Sequence, residues 1–536
     1  MEETLGNELS SELTGLNKEN NPLKNKQILI GIVTGVILLI LMIVIIIIAS
    51  KKSQNNSSKK KLIGEIICTY DITTTSENTL LLGKEFKKES DFVLYIDNNE
   101  IKYSKEYKFN STGNHEIQIK LYSELNMNYM FKDIENLISV EMKSEENCKI
   151  TSMISTFENC IYLYSFTING FNGEKLKSLH KLFYNSGISM YDFQFNLTSN
   201  VEDMSYMVAS TYIYDFSFKD FDTTKVKNMS HIFDSCSSLL DIDFDTLNTN
   251  NVIDMSYMFH SCSSIMNLNL LSFKTEKVID MSHMFQKCIS LSNLILTNFN
   301  TKNVLDMSYM FDNCNSLSSI DLSIFNTNNV KNISHMFQSC NALRSIDLKN
   351  FDTENVEDAS GLFSNCLKLS NIDISNFNLA KNKDMSEMFY YCRALTEISL
   401  GNIVTNNVVN MSHLFDDCTS LTSVDLHSFN TENVEDMSCM FQDCYKLSKI
   451  DISHFKTNKV QNMSRMFEEC ELLTSLDVSN FVTTQVKDMT KMFEFCGSLT
   501  SLNLRNFDSS NVVYMLDMFT DCRWRMYIFL DLKLKK

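Results

Sequence analysis

Three kinds of side chain recur at fixed spacing in this sequence, and each could do chemistry. Aspartate stands at Asp254, Asp280, Asp306, Asp358, Asp384, Asp436 and Asp488, with Asn228, Asn332, Asn410 and Asn462 in the same register. A row of carboxylates is raw material for calcium. The same oxygens can instead accept the free N–H groups of a short helical turn, as N-caps do. Asn alternates freely with Asp here, which a cap tolerates, so capping is the expected role. A second row comprises Asp243, Asp321, Asp347, Asp373, Asp425, Asp451 and Asp477. These lie between apolar residues that alternate with period two, so they point outward from a short strand. Carboxylates stacked ~5 Å apart repel one another, and a basic ligand or divalent cations would relieve them. The alternative is that they only keep an open sheet soluble. These seven are the candidate binding residues.

Cysteine recurs every 26 residues from Cys236 to Cys522, twelve times without a slip. In stacked units, equivalent Cβ vectors run parallel, which suits a disulfide poorly. The expected state is a ladder of reduced, buried thiols. His231, His283, His335 and His413 share one repeat position. Their nearest spacing is two units, about 10 Å at ~4.8 Å per strand step, too far for two of them to bind one metal. They are expected on an exposed helix face. The sequence holds no Gly-rich phosphate loop, C-x-x-C pair or nucleophile elbow. No catalytic residue, cofactor or metal site is therefore expected.

The elements that position these rows follow from the period. A repeat of 20–50 residues means a solenoid or another array of stacked units. The unit from Asn303 to Phe337 shows its parts. Leu317, Ile320 and Leu322 have strand spacing. Val304, Met307, Phe311 and Cys314 step by three and four, as one face of a helical turn does. Phe325 and Thr327 recur in the linking segment, as a plug and a turn hydroxyl. No unit of this size buries its own apolar face, so neighbours must supply the core.

The signature N-V-x-D-M-S-x-M-F-x-x-C-x-x-L-x-x-I-D-L-S-x-F resembles the BspA-type leucine-rich repeats of microbial surface proteins. It is most similar to the variant found in mycoplasma lipoproteins and some protists. The resemblance spans roughly residues 126–522 in about fifteen copies. It implies a leucine-rich-repeat-like solenoid of short parallel strands and short helical turns, and loosely adhesion or recognition. It carries no catalytic residues to transfer. Ordinary leucine-rich repeats place Asn after the strand where this chain has Phe, so the buried asparagine ladder must be replaced by something else.

In chain order, residues 1–27 read as a polar, disordered tail. Between Ile28 and Ala49 there is no charged residue, and 22 apolar residues suffice to cross a bilayer. Residues 28–49 are therefore expected to be a transmembrane helix. Residues 50–61 read as a basic stalk. Residues 62–125 alternate with period two around turn residues and read as a small β-rich cap. Residues 126–522 form the solenoid and 523–536 a C-terminal cap. Lysines flank the apolar stretch on both sides, with Lys51, Lys52, Lys59, Lys60 and Lys61 downstream, so charge alone mildly favours a cytoplasmic C-terminal side. The family resemblance pulls the other way, and the repeats are expected outside. A net charge of −18 argues against nucleic acid as a partner. The expected function is adhesion to, or recognition of, a protein or glycan on a cell surface. The alternatives are an intracellular membrane-tethered scaffold and a structural surface coat.

Overall fold

The computed structural model describes residues 22–55, 60–189, 195 and 197–522. It divides into two compact units, at Leu62 and Ile63. The first contains one α-helix, Pro22–Asn55. Proline suits a first helical turn, where its missing N–H has no partner to lose. Within the helix, Leu29–Ile47 is long and apolar enough to cross a membrane, and none of it is buried. The helix is longer than the apolar run. It continues through Lys51 and Lys52, so the first half of the expected stalk is helical. The expected tail lies outside the described residues except for residues 22–27, which join the helix; the expected C-terminal cap lies outside them entirely.

The second unit opens with a sheet. Its strand order is Ser165–Asn169, Leu137–Lys143, Gly64–Ile72, Gly113–Leu121, Phe92–Ile96, Asn99–Ile101. Alternation sets the buried face: Ile66, Cys68, Tyr70 and Ile72 all point inward. Asp97 and Asn98 both take positive φ in the tight turn that pairs Ile96 with Asn99, the two-residue hairpin for which Asp and Asn are suited. Gly64–Ile72 pairs antiparallel with Leu137–Lys143, which pairs parallel with Ser165–Asn169. The last two strands already belong to the repeats. The leading β-structure thus closes the solenoid by extending its strand face, which leaves no raw edge there.

Each following coil has the same course. The strand segments pair in parallel at Asp215–Ser217 with Asp241–Asp243, Asn267–Asn269 with Asn293–Ile295, and Asn371–Asp373 with Glu397–Ser399. The continuous ladder lies elsewhere, on the Asp306 column. Parallel bridges run from Ser178 through Asp203, Asn228, Asp254, Asp280 and Asp306 and on to Asp488 and Tyr514.

The segment expected to be a helical turn is a run of β-turns. Tyr309 and Asn313 have φ of 56° and 58°, and most coils repeat this pair of left-handed residues four apart. Left-handed backbone reverses the chain locally and turns alternate N–H groups outward. Met307, Tyr309, Phe311 and Asn313 donate to Asn332, Ser334, Met336 and Gln338 of the next coil. Met310 and Cys314 donate back to Met307 and Phe311. Left-handed conformation costs a non-glycine residue roughly 1–2 kcal/mol. Each coil recovers that through backbone hydrogen bonds to its neighbour that a helix would have kept internal.

The expected interior is present. From Phe233 to Phe519 the rings stack in one column, with centroids 5.5–5.8 Å apart and planes within 15°. All the cysteines are unpaired. From Cys262 to Cys496 each ladder thiol donates to the carbonyl of the phenylalanine one coil back, at 3.1–3.2 Å. Burial pushes these thiols up, Cys236 to about 11 and Cys288 to about 12, so they are poor nucleophiles at neutral pH.

The missing asparagine ladder has two replacements. The thiols are one. The other is the threonine column. Thr327 Oγ1 donates to Asp352 O at 2.8 Å and accepts from Asp352 N–H at 2.7 Å. Thr301, Thr353, Thr405, Thr431, Thr457 and Thr483 clip their neighbours in the same way.

Candidate functional site

The strand face carries the seven candidate aspartates. Asp243, Asp321, Asp347, Asp373, Asp425, Asp451 and Asp477 are all exposed, as period two requires. Each also has a local task. Asp321 Oδ1 accepts the Ser323 N–H at 2.9 Å, and the other six cap the residue two places on in the same way. Hydrogen bonds from Ser323, Ser375, Ser453 and Ser479 hold Asp321, Asp373, Asp451 and Asp477 below the usual carboxylate range. Lys349 does the same for Asp347, and the His427 backbone and ring for Asp425. A lowered folded pKa means that the stabilisation is present above the unfolded value and fades as pH falls through the folded one. The face therefore stays anionic into the acid range. One oxygen of each carboxylate is engaged in a turn; the other accepts the Ser217 hydroxyl at Asp243 and lies 2.9 Å from Lys349 Nζ at Asp347.

The row is interrupted by Asn269 and Ile295, and again at the coil after Asp373. Where its neighbours place Asp and then Ser, Lys or His, this coil has Ser399, Leu400 and Gly401. Gly401 has φ of 53°, and a Cβ there would sit 2.8 Å from the Ser375 carbonyl oxygen. The dip opens a shallow groove of about 560 Å³, lined by Asp373, Glu397, Ser399, Asp425 and His427 among others. His427 Nδ1 lies 2.8 Å from Asp425 Oδ1.

Sequence reasoning missed an aromatic strip beside the acidic row. Tyr162, Tyr164, Tyr212 and Tyr214 are 65, 59, 72 and 68% exposed, and Leu240 and Met266 continue the strip. Tyr164 and Tyr214 stand immediately before strands, and the Leu240 N–H donates to Tyr214 O. Both tyrosine pairs flank the buried leucine-type position, Leu163 and Ile213. That spacing is a usable signal, hidden by the one-residue slip in register after Phe183.

The other rows resolve differently. In the first aspartate column, Asp306 Oδ1 accepts both the N–H and the hydroxyl of Ser308, at 2.8 and 2.6 Å. The expected capping is present, though it caps a β-turn. Asparagines relieve the charge: Asn332, Asn410 and Asn462 donate to Asp306, Asp384 and Asp436. Where three aspartates run together, burial and then the flanking carboxylates raise Asp280.

The histidines are not on an exposed helix face. All four occupy left-handed positions and are part-buried; His231, His283 and His335 stack with the tyrosines of neighbouring coils, whereas His413 meets Tyr390 edge-on at 6.0 Å. Tyr206, His231, Tyr257, His283, Tyr309 and His335 stack with centroids 4.0–4.7 Å apart. The stack stops at Gly361, over which the His335 ring lies.

A continuous parallel spine, a stacked aromatic interior and an open strand face define a leucine-rich-repeat-like solenoid. The chain belongs to the family described as Mycoplasma protein of unknown function, DUF285, whose model matches residues 125–239, 188–295, 253–371, 290–400, 365–472, 395–501 and 447–525. No curated protein matches it. Among solved structures it is similar to a leucine-rich repeat protein from Eubacterium ventriosum, at 13% identity and a TM-score of 0.31, covering 74% of this chain and 93% of that one. It is also similar to a chain of a TLR13–ssRNA13 complex, at 15% identity and a TM-score of 0.19, covering 73% of this chain and 70% of that one.

Proposed function

We propose that this is a membrane-anchored protein that presents its repeats outside the cell and recognises a protein or glycan through the strand face. The observation that carries the reading is the pairing, on one rigid face, of an exposed carboxylate row with an exposed tyrosine strip. Tyrosine supplies contact area at low entropic cost, and interface hot spots are enriched in it. The carboxylates add long-range attraction for basic or cation-bridged surfaces. The reading is non-enzymatic: the face offers repeated, equivalent groups, where catalysis needs one differentiated set.

Replacing Asp321, Asp347 and Asp373 together by Asn tests it. Asn keeps the turn-capping oxygen and removes three charges. Binding of the full chain to a glycan array or to host-cell surfaces should weaken several-fold, and its decline with salt should flatten, since exposed charges are screened beyond ~8 Å at physiological ionic strength. Binding equal to the parent's and indifferent to salt would reduce the acidic row to a solubility device.

A second reading, an intracellular membrane-tethered scaffold, has two observations in its favour. All the cysteines are unpaired, which suits a reducing compartment. Five lysines also follow Ala49, the end of the apolar stretch, within a dozen residues.

A further inference from the structure

The left-handed column that carries the Tyr–His stack changes character after His335, where Gly361 and Glu387 precede His413. Tyr257 follows His231 one coil on, and Tyr309 follows His283. After His413 the same place holds Cys439. Cys439 is one of four cysteines, with Cys68, Cys148 and Cys160, that stand outside the run of twelve from Cys236 to Cys522. His413 Nδ1 lies 2.7 Å from Asp416 Oδ2. Asp416 and Cys439 are 4% and 6% exposed. One ligand atom from each of the three residues falls within 4.8 Å of the other two.

The His–Asp contact alone is structural, because His231 with Asp234 and His283 with Gln286 repeat it. What is new at His413 is a soft sulfur donor where the coils after His231 and His283 place a tyrosine ring. The backbone is already fixed. His413 N–H donates to Ser438 O and Cys439 N–H to Ser464 O, both at 2.9 Å, and both residues hold φ of 55°. Zinc bonds of ~2.0–2.3 Å place tetrahedral ligand atoms ~3.3–3.6 Å apart, so about 1 Å of side-chain movement closes the site.

We propose that His413, Asp416 and Cys439 bind one zinc-class divalent cation, with the fourth position left to solvent. Imidazole, carboxylate and thiolate together suit Zn²⁺ or Co²⁺, whereas Mg²⁺ and Ca²⁺ do not take sulfur. Binding displaces the thiol proton and the proton shared by Nδ1 and the carboxylate, and both leave to solvent.

The test is a Co²⁺ titration of the full chain in detergent micelles, with a non-chelating reductant. One equivalent should give a thiolate-to-cobalt charge-transfer band in the near ultraviolet, and added Zn²⁺ should bleach it. Asp416→Asn should weaken Co²⁺ binding at least ~10-fold. Cys439→Tyr, which installs the residue that follows His231 and His283, should abolish the band. In the parent, Zn²⁺ should also raise the thermal midpoint, and in Cys439→Tyr it should not. No band at one equivalent, or a band that survives both Cys439→Tyr and Cys439→Ser, overturns the proposal.

Discussion

Phe337→Ala should lower the stability of the solenoid by about 3–5 kcal/mol. The ring is fully buried and stacks on Phe311 at 5.5 Å and on Phe363 at 5.6 Å. Its removal costs the transfer energy of the ring and leaves a cavity. The coils above and below cannot collapse into that cavity, because backbone hydrogen bonds between coils fix their spacing: Phe311 N–H donates to Met336 O, and Phe337 N–H to Leu362 O. Urea unfolding should show the loss. Hydrogen exchange should place it within one or two coils of residue 337, since each repeat contacts only its neighbours. A loss below about 1 kcal/mol, or one spread evenly from end to end, contradicts a nearest-neighbour stack.

Thr327→Val should cost about 2–4 kcal/mol, although the two side chains have the same shape. Thr327 is 1% exposed, and its hydroxyl serves both polar groups of the Asp352 peptide. Valine orphans a donor and an acceptor together, at about 1–3 kcal/mol each. Thr327→Ser loses only a methyl, worth about 0.8 kcal/mol of burial, and keeps both bonds. Serine should therefore be the milder change in thermal unfolding. The reverse order would mean that the column works by packing and that the hydroxyl clip is incidental.

Much of this architecture was legible because stacking turns sequence period into spatial columns. The Phe311 and Cys314 columns could be placed inside, and Asp321 outside, from spacing alone. What periodicity does not report is the sign of φ. Steps of three and four at Val304, Met307, Phe311 and Cys314 fit a helical face, yet the same residues also face inward along a chain of β-turns. Left-handed backbone usually announces itself by glycine. Here Tyr309, His335, Ser339 and Lys287 take it, with only 13 glycines in the chain, so the signal was silent. The same gap misplaced the histidines. Tyr257 and Tyr309 hold the same repeat position on the coils between them, which a reading of the histidines alone passes over. The tyrosine strip was obscured by the slip in register between Phe183 and Val208. Cys439 went unremarked because attention to a perfect column hides the cysteine that is not in it.

The claim on which the functional reading turns is that the repeats stand outside the membrane. A membrane-impermeant amine-labelling reagent applied to intact cells making the full chain tests it directly. Lys349 is exposed on the strand face and Lys177 near the first coils, while Lys18 and Lys24 precede the apolar stretch Leu29–Ile47. With the repeats outside, Lys177 and Lys349 label on intact cells as strongly as on broken ones, and Lys18 and Lys24 label only after the membrane is opened. The opposite pattern, with Lys18 and Lys24 labelled on intact cells and the repeat lysines silent, contradicts surface recognition and leaves the tethered intracellular scaffold.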